Sequence, residues 1–336
     1  MSAVLEVSGL VVEFPPSGGG ARPVRALNGV DLAVARGRTL GIVGESGCGK
    51  STLGFTVLRL QQPTAGRVVF DGVDLGTLGA RALRRMRRRM QIVFQDAAAS
   101  LDPRMPVGDA LHQALDIQGL HTGRARAPRI RELLELVGLP DAFAARYPHQ
   151  LSGGQAQRVA IARALAVGPD LIVCDEPVSA LDVSIQAQII NLLQDLQRQL
   201  GLTLLFISHD LGVVRHISDD VAVMYLGRVV EFAPKAALFR RPAHPYTRAL
   251  LSAVPLPDPV LERSRKRIIL SGDLPSPADP PSGCVFRTRC PDVVAACAER
   301  VPPPFHAGPD HWAACIRAGE AHAPTPAVPV EEDLIP

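Results

Sequence analysis

The stretch "RTLGIVGESGCGKSTLGF", residues 38–55, restricts what the chain can fold into more than any other. A short apolar run enters a glycine-rich turn, and a helical pattern opens near Lys50. Gly44, Gly49, Lys50 and Ser51 fill the spacing G-x-x-x-x-G-K-[ST], with Thr52 behind them. The order strand, turn, helix gives that spacing its physical sense. Successive backbone N–H groups of the turn and the positive end of the helix together make a cradle for phosphates. Gly44, Glu45, Ser46, Gly47, Cys48, Gly49, Lys50, Ser51 and Thr52 are therefore expected around a nucleotide's phosphates, with Lys50 reaching the β and γ groups and Ser51 ligating Mg²⁺. Cys48 reads as an incidental residue of the turn. The fold class that follows is α/β, a P-loop NTPase.

A chain of 336 residues can carry one large domain and a smaller appendage. No apolar run approaches the roughly 20 residues that cross a bilayer. The start "MSAVLEVSGLVVEF" lacks a basic flank followed by an apolar stretch, so no secretory signal or membrane anchor is expected, and the chain is placed in the cytosol. In that reducing compartment disulfides are disfavoured. The alternation in "VLEVSGLVVEF" reads as an edge strand, followed by a Pro/Gly loop and a further strand pair in "VRALNGVDLAV". The run "RALRRMRRRM" invites a nucleic-acid reading, and the net charge of +3 weakly permits one. No aromatic platform accompanies it, so a solvated basic helix face is expected and nucleic acid is not expected as a partner.

The middle of the chain narrows the class. "LSGGQ" opens a helical pattern at Leu151, and the apolar strand "LIVCDE" ends in the adjacent acids Asp175 and Glu176. "QIVFQD" places Gln95 after one strand, and "LLFISHD" places His209 after another. At a strand end beside the phosphate turn, Asp175 can hold Mg²⁺ and Glu176 can orient or deprotonate the attacking water. In these residues the chain resembles the nucleotide-binding subunits of ATP-binding cassette transporters. The resemblance implies ATP and Mg²⁺ as cofactors, a Q-loop glutamine at Gln95 that senses the metal or water, and a switch histidine at His209 near the γ phosphate. It implies an aromatic stack on adenine by Phe14 and a D-loop at Ser179 to Asp182. It further implies that Ser152, Gly153, Gly154 and Gln155 serve the nucleotide held by a partner cassette, so that the chain must pair. Residues 1–255 are then the cassette, with a helical subdomain at about 96–160 that contains "RIRELLELVGL" and a turn at Gly138-Leu139-Pro140.

Beyond residue 255 proline becomes frequent and helical periodicity fades. "HPYTRALLSAVPLPDP" and "GDLPSPADPPSGCVFRTRCP" resemble the C-terminal extension of the dipeptide, oligopeptide and nickel importers, and "GIVGESGCGKSTL" resembles the second of their two paired ATPases. The resemblance implies an ATPase that energises dipeptide or oligopeptide import, at the cytoplasmic face of the inner membrane as a peripheral subunit. Its implied partners are a sibling ATPase in a heterodimer, two transmembrane permeases and an extracytoplasmic solute-binding protein. A nickel or other small-solute importer, and a non-transport cassette ATPase acting on nucleic acid or ribosomes, are the alternatives. One departure is "QDAAASLDPR", where the branch commonly has proline and an aromatic. The extension at 256–320 also holds Cys284, Cys290, Cys297 and Cys315, separated by five, six and seventeen residues. Zinc sites usually begin with tighter pairs. A [4Fe-4S] cluster, which some members of the branch carry, is the leading expectation, against zinc, for which His306 and His311 are further ligands, or free thiols. Residues 321–336 read as a mobile tail.

Overall fold

The computed structural model describes residues 3–15, 23–120, 126–255, 263 and 267–319. The tail at 321–336 and most of the Pro/Gly loop after Phe14 lie outside the described residues. Two sheets are present among the described residues. In the first, β1 (Ala3–Phe14), β2 (Val24–Ala35), β4 (Ala65–Phe70) and β5 (Val73–Asp74) run in the order β2-β1-β4-β5, antiparallel throughout. The expected edge position of the opening strand is corrected here: β1 is interior, with Leu5 opposite both Val34 and Phe70. Its alternation arises because Leu5, Val7, Leu10 and Val12 are buried while the residues between them, Glu6, Ser8, Gly9 and Val11, are not, with a register shift between Val7 and Leu10.

The second sheet carries the cassette. Its parallel part has the order β9-β3-β8-β7-β6, from β3 (Thr39–Val43), β6 (Met90–Val93), β7 (Leu171–Asp175), β8 (Thr203–Ser208) and β9 (Asp220–Tyr225). Every residue of β3, β7 and β8 is buried, as expected for parallel strands covered on both faces. Alternate side chains feed separate cores. Leu204 and Phe206 join the core beneath the helices, whereas Leu205 and Ile207 join the core shared with the antiparallel sheet. The helices α1 (Lys50–Val57), α3 (Val107–Ile117), α4 (Arg126–Leu136), α5 (Gly153–Leu165) and α6 (Val183–Leu200) cover these faces, with α3, α4 and α5 forming the helical region. Gly138 takes φ +68° in the turn after α4, as its place before Pro140 predicts.

The basic run is only partly a solvated face. It forms α2 (Ala80–Arg88), no residue of which is buried. Arg87, however, donates to the carbonyls of Leu58 and Arg59 just beyond α1, and Arg89 donates to Asp170 and Asp71 at 2.5 and 2.7 Å. These arginines tie the loop ends together.

After α7 (Leu211–Ile217), the strand β10 (Arg228–Pro234) returns antiparallel to β9. The short helices α8 (Lys235–Arg240) and α9 (Pro245–Ala253) follow. The extension has no core of its own and borrows that of the cassette. Its strands β11 (Phe305–Gly308) and β12 (His311–Ala313) lengthen the large sheet beyond β10. Phe286 is fully buried, with its ring 5.2 Å from Tyr225 and 5.3 Å from Tyr246, a burial that stabilises by roughly 2–3 kcal/mol. Fully buried Glu231 accepts from the backbone of Ala243 and His244 at 2.7 and 3.0 Å and lies 2.8 Å from His311 Nε2. His311 is thus engaged in joining the extension to β10, which corrects its reading as a zinc ligand.

Buried His244 caps α9 by accepting the N–H of Tyr246 on Nδ1 at 3.1 Å, which requires the neutral ring. Burial pushes its pKa down from 6.5 to about 4. The unfolded chain therefore takes up this proton before the native chain does, so the stabilisation is complete above about pH 6.5 and is lost as pH falls toward 4. Thermal melting across that window should fall more steeply for wild type than for His244→Asn, which keeps an acceptor at the cap; parallel slopes would contradict the assignment.

Candidate functional site

Buried β3 delivers the chain into the phosphate turn. At Gly44 a Cβ would lie 2.2 Å from the carbonyl oxygen of Met224, and at Gly49, where φ is +104°, it would lie 2.4 Å from that of Ala26. Only glycine lets the turn close against these neighbours. Helix α1 then opens at Lys50 without a side-chain cap, leaving its first N–H groups for an incoming anion. Lys50 is buried and donates to the carbonyls of Gly44 and Glu45 at 2.8 and 3.0 Å. Ser46 and Gly47 are exposed, Thr52 is half-buried, and Cys48 is buried behind the turn, where burial pushes its thiol pKa up.

Ser51 Oγ donates to Asp175 Oδ1 at 2.8 Å. Asp175 ends β7, and burial pushes its carboxyl pKa up, opposed by the Ser51 hydrogen bond. A hydroxyl and a buried carboxylate side by side are a donor set that suits Mg²⁺, which would restore the ionised form.

Glu176 follows with φ +46°, a conformation rare for a residue with a side chain, held by its N–H donating to Ile207 O at 3.0 Å. That turn aims the carboxylate across the strand ends. Its Oε2 accepts from Gln95 Nε2 at 3.2 Å and lies 3.2 Å from His209 Nδ1, while its Oε1 is 4.0 Å from Lys50 Nζ. Gln95 also donates to Ser179 Oγ at 3.3 Å, and Ser179 donates to Glu176 O at 3.1 Å. Lys50, Ser51, Gln95, Asp175, Glu176 and His209 thus meet beyond the carboxyl ends of β3, β6, β7 and β8.

The remaining predicted residues face elsewhere. Ser152 caps α5: its hydroxyl accepts from Gln155 N at 3.4 Å, and Gln155 Oε1 accepts from Ser152 N at 3.0 Å. Ser152 and Gly153 are exposed, and a Cβ on Gly154 would meet Ile185 at 2.6 Å. Asp182 is exposed before α6, next to Val183, which is 81% exposed. Phe14 ends β1, 37% exposed.

Some contacts escaped the sequence reading. Arg163 on α5 donates to Ser100 O and Oγ at 2.5 and 3.0 Å, so the atypical "QDAAASLDPR" turn is fastened to the helix that begins with the LSGGQ residues. Glu45 of the phosphate turn contacts both Arg289 and Tyr246 of the C-terminal region. No local pattern in the chain announces either pairing.

None of the four cysteines of the extension is joined in a disulfide. Cys284 N donates to Cys297 O at 2.8 Å. Burial pushes the Cys290 thiol up to about 12, with Cys315 and Cys284 close enough to add to the rise. Burial also raises Cys284 and Cys315, each of which feels Cys297. Burial is the leading cause at each of these three thiols, with neighbouring thiols as lesser ones, and among the described residues no three His, Cys, Asp or Glu side chains form a set that could hold a metal ion.

Residues 27–179 match the ABC transporter family, and residues 230–297 match the oligopeptide/dipeptide transporter C-terminal region. The chain is 53% identical over 293 residues to the oligopeptide transport ATP-binding protein AppF of Bacillus subtilis, covering 87% of this chain and 89% of that one. A Brucella ovis protein named for peptide import and ATP binding is 56% identical over 314 residues, which is 94% of this chain and 98% of that one. Among solved structures, the dimeric post-hydrolysis state of the ATP-binding cassette MJ0796 with ADP and Pi superposes with a TM-score of 0.62 at 32% identity, covering 69% of this chain and 98% of that chain.

Proposed function

This chain belongs to the ABC transporter ATPase family, and from that premise we propose that it is the ATP-hydrolysing subunit that energises import of dipeptides or oligopeptides. The observation that carries the chemical part is the Glu176 carboxylate, met by Gln95 and His209 and facing Lys50 beside the phosphate turn. Lys50 and the N–H groups of residues 44–52 bind and orient the β and γ phosphates. Ser51 and Asp175 would hold Mg²⁺, which neutralises charge on the phosphate oxygens when bound. Glu176 accepts the proton of the attacking water, while Gln95 and His209 hold its carboxylate in place. Phe14 stacks on the adenine. Ser152 to Gln155 and Asp182 act on the nucleotide of a sibling ATPase, the proposed heterodimer partner. The exposure of Ser152, Gly153, Asp182 and Val183 supports this reading.

Two transmembrane permeases and an extracytoplasmic solute-binding protein complete the system, with this chain peripheral at the cytoplasmic face of the inner membrane. No helix among the described residues is long and apolar enough to cross a membrane. The groove of about 680 Å³ lined by Phe55, Phe94, Gln95 and Arg163 suits a coupling segment from a permease, because Gln95 reaches Glu176 on one side and Arg163 leads to α5 on the other. Solute-stimulated ATPase assays on the assembled complex test the transported class: stimulation by short peptides is expected, and stimulation by nickel complexes alone would refute it.

In the extension, residues 256–320, Cys284, Cys290, Cys297 and Cys315 are proposed to hold a [4Fe-4S] cluster in preference to zinc, because their separations of five, six and seventeen residues lack the tight pair with which zinc sites usually begin. Four thiolates match the ligand demand of such a cluster, and ligation would deprotonate thiols whose burial otherwise keeps them neutral. The side chains must draw together to ligate it, since they do not meet as a metal set among the described residues. The cluster's contribution would be to stability of the extension.

Two outcomes are expected. Glu176→Gln should keep MgATP binding and lower single-turnover hydrolysis at its own site by at least about 100-fold, the scale of a lost general base; unchanged single-turnover chemistry would overturn the assignment. Anaerobically purified protein should contain about four irons and four acid-labile sulfides per chain, and Cys290→Ser should lower both. One zinc without sulfide would favour zinc, and neither metal nor sulfide after attempted reconstitution would leave free thiols.

A further inference from the structure

The extension reaches back to the phosphate turn. Arg289, one residue before Cys290, places a guanidinium nitrogen 2.7 Å from Glu45 Oε2, across 244 residues of sequence. The Arg289 side chain is 10% exposed and that of Glu45 28%, so the pair is largely shielded from water, where a charge-assisted hydrogen bond counts for more than at an open surface. Glu45 follows Gly44 directly in the cradle and is held at two further atoms. Its N–H donates to the Tyr246 hydroxyl at 3.0 Å, and its carbonyl accepts from Lys50 at 3.0 Å. The Arg289 arm is itself fixed, because its N–H donates to the carbonyl of Phe286 at 3.0 Å and the Phe286 ring packs against both Tyr225 and Tyr246.

A turn rich in glycine is conformationally free, and a phosphate cradle works only if its N–H groups hold their places. Lys50 steadies the turn through the carbonyls of Gly44 and Glu45, but the same ammonium is needed by the nucleotide. The contacts on Glu45 from outside the turn that do not compete with nucleotide are those of Tyr246 and Arg289. We propose that Arg289 is a positioning residue for ATP binding, which acts through the Glu45 carboxylate to hold the phosphate turn and so makes the C-terminal extension a support of the ATP site. This rests on residues 44–52 being the phosphate site.

The test is equilibrium MgATP binding to the full-length chain, with thermal melting and single-turnover rates at saturating MgATP, for wild type, Arg289→Met, Arg289→Lys, Glu45→Gln and the double variant Arg289→Met/Glu45→Gln. Arg289→Met should raise Kd about tenfold, on the scale of one hydrogen bond to a charged group, and Arg289→Lys should recover part of that loss. In the Glu45→Gln background the same change should add less than about twofold, since the partner carboxylate is already gone. The saturated rate of Arg289→Met should change by less than about threefold, which a collapse of the site would not permit. A folded Arg289→Met chain with wild-type Kd, or losses that multiply in the double variant, would overturn the inference. If Arg289→Met does not fold, Glu45→Gln with and without Arg289→Lys carries the same comparison, and an unchanged Kd in Glu45→Gln overturns it. A wild-type chain that binds no MgATP would instead overturn the phosphate-site reading itself.

Discussion

The hydrogen bond from Ser51 to Asp175 is the contact on which the site depends. It joins the first turn of α1 to the end of β7, two elements 124 residues apart in sequence. Through it the phosphate turn and the paired acids become one surface. Burial makes the carboxylate of Asp175 costly without a partner, a role that Ser51 fills and that a bound cation would fill more strongly. Glu176 then takes its positive φ, and that turn, not the strand itself, directs the second carboxylate toward Gln95, His209 and Lys50. A sheet whose parallel strands are buried on both faces provides the rigidity that holds such a strained residue.

Much of this was legible in the chain because local chemistry and local geometry coincide there. The turn at 44–51 needs glycines where backbones approach, and the strand ends at Asp175 and His209 follow runs that can only be buried strands. What was not legible is what distant segments do to one another. Alternation in β1 announced a half-buried strand and could not distinguish an interior strand from an edge. His311 had the composition of a metal ligand, yet its neighbour is Glu231, some 80 residues earlier. The arginines of α2 looked solvated because their acceptors, the carbonyls after α1, are invisible to a pattern.

The extension shows the same division. Its lack of apolar periodicity correctly announced a segment without its own core, and the structure supplies the reason it still folds: Phe286 enters the cassette's core and β12 pairs with β10. Arg289 and Glu45 then connect this segment to the phosphate turn. Arg289 precedes Cys290 directly, so one short segment carries both the contact to the phosphate turn and a cysteine of the group.

The central claim is that the chain carries two halves of different ATP sites, the phosphate cradle with Glu176 on one face and the LSGGQ helix N-terminus at Ser152 on another. The most direct measurement is MgATP binding by the isolated chain alongside single-turnover hydrolysis by the assembled ATPase pair, for wild type and Ser152→Arg. The added bulk and charge should leave binding to the isolated chain unchanged and abolish hydrolysis in the partner's cradle, where Ser152 would face the γ phosphate. Full hydrolysis by a demonstrated monomer, untouched by Ser152→Arg, would contradict the shared-site account.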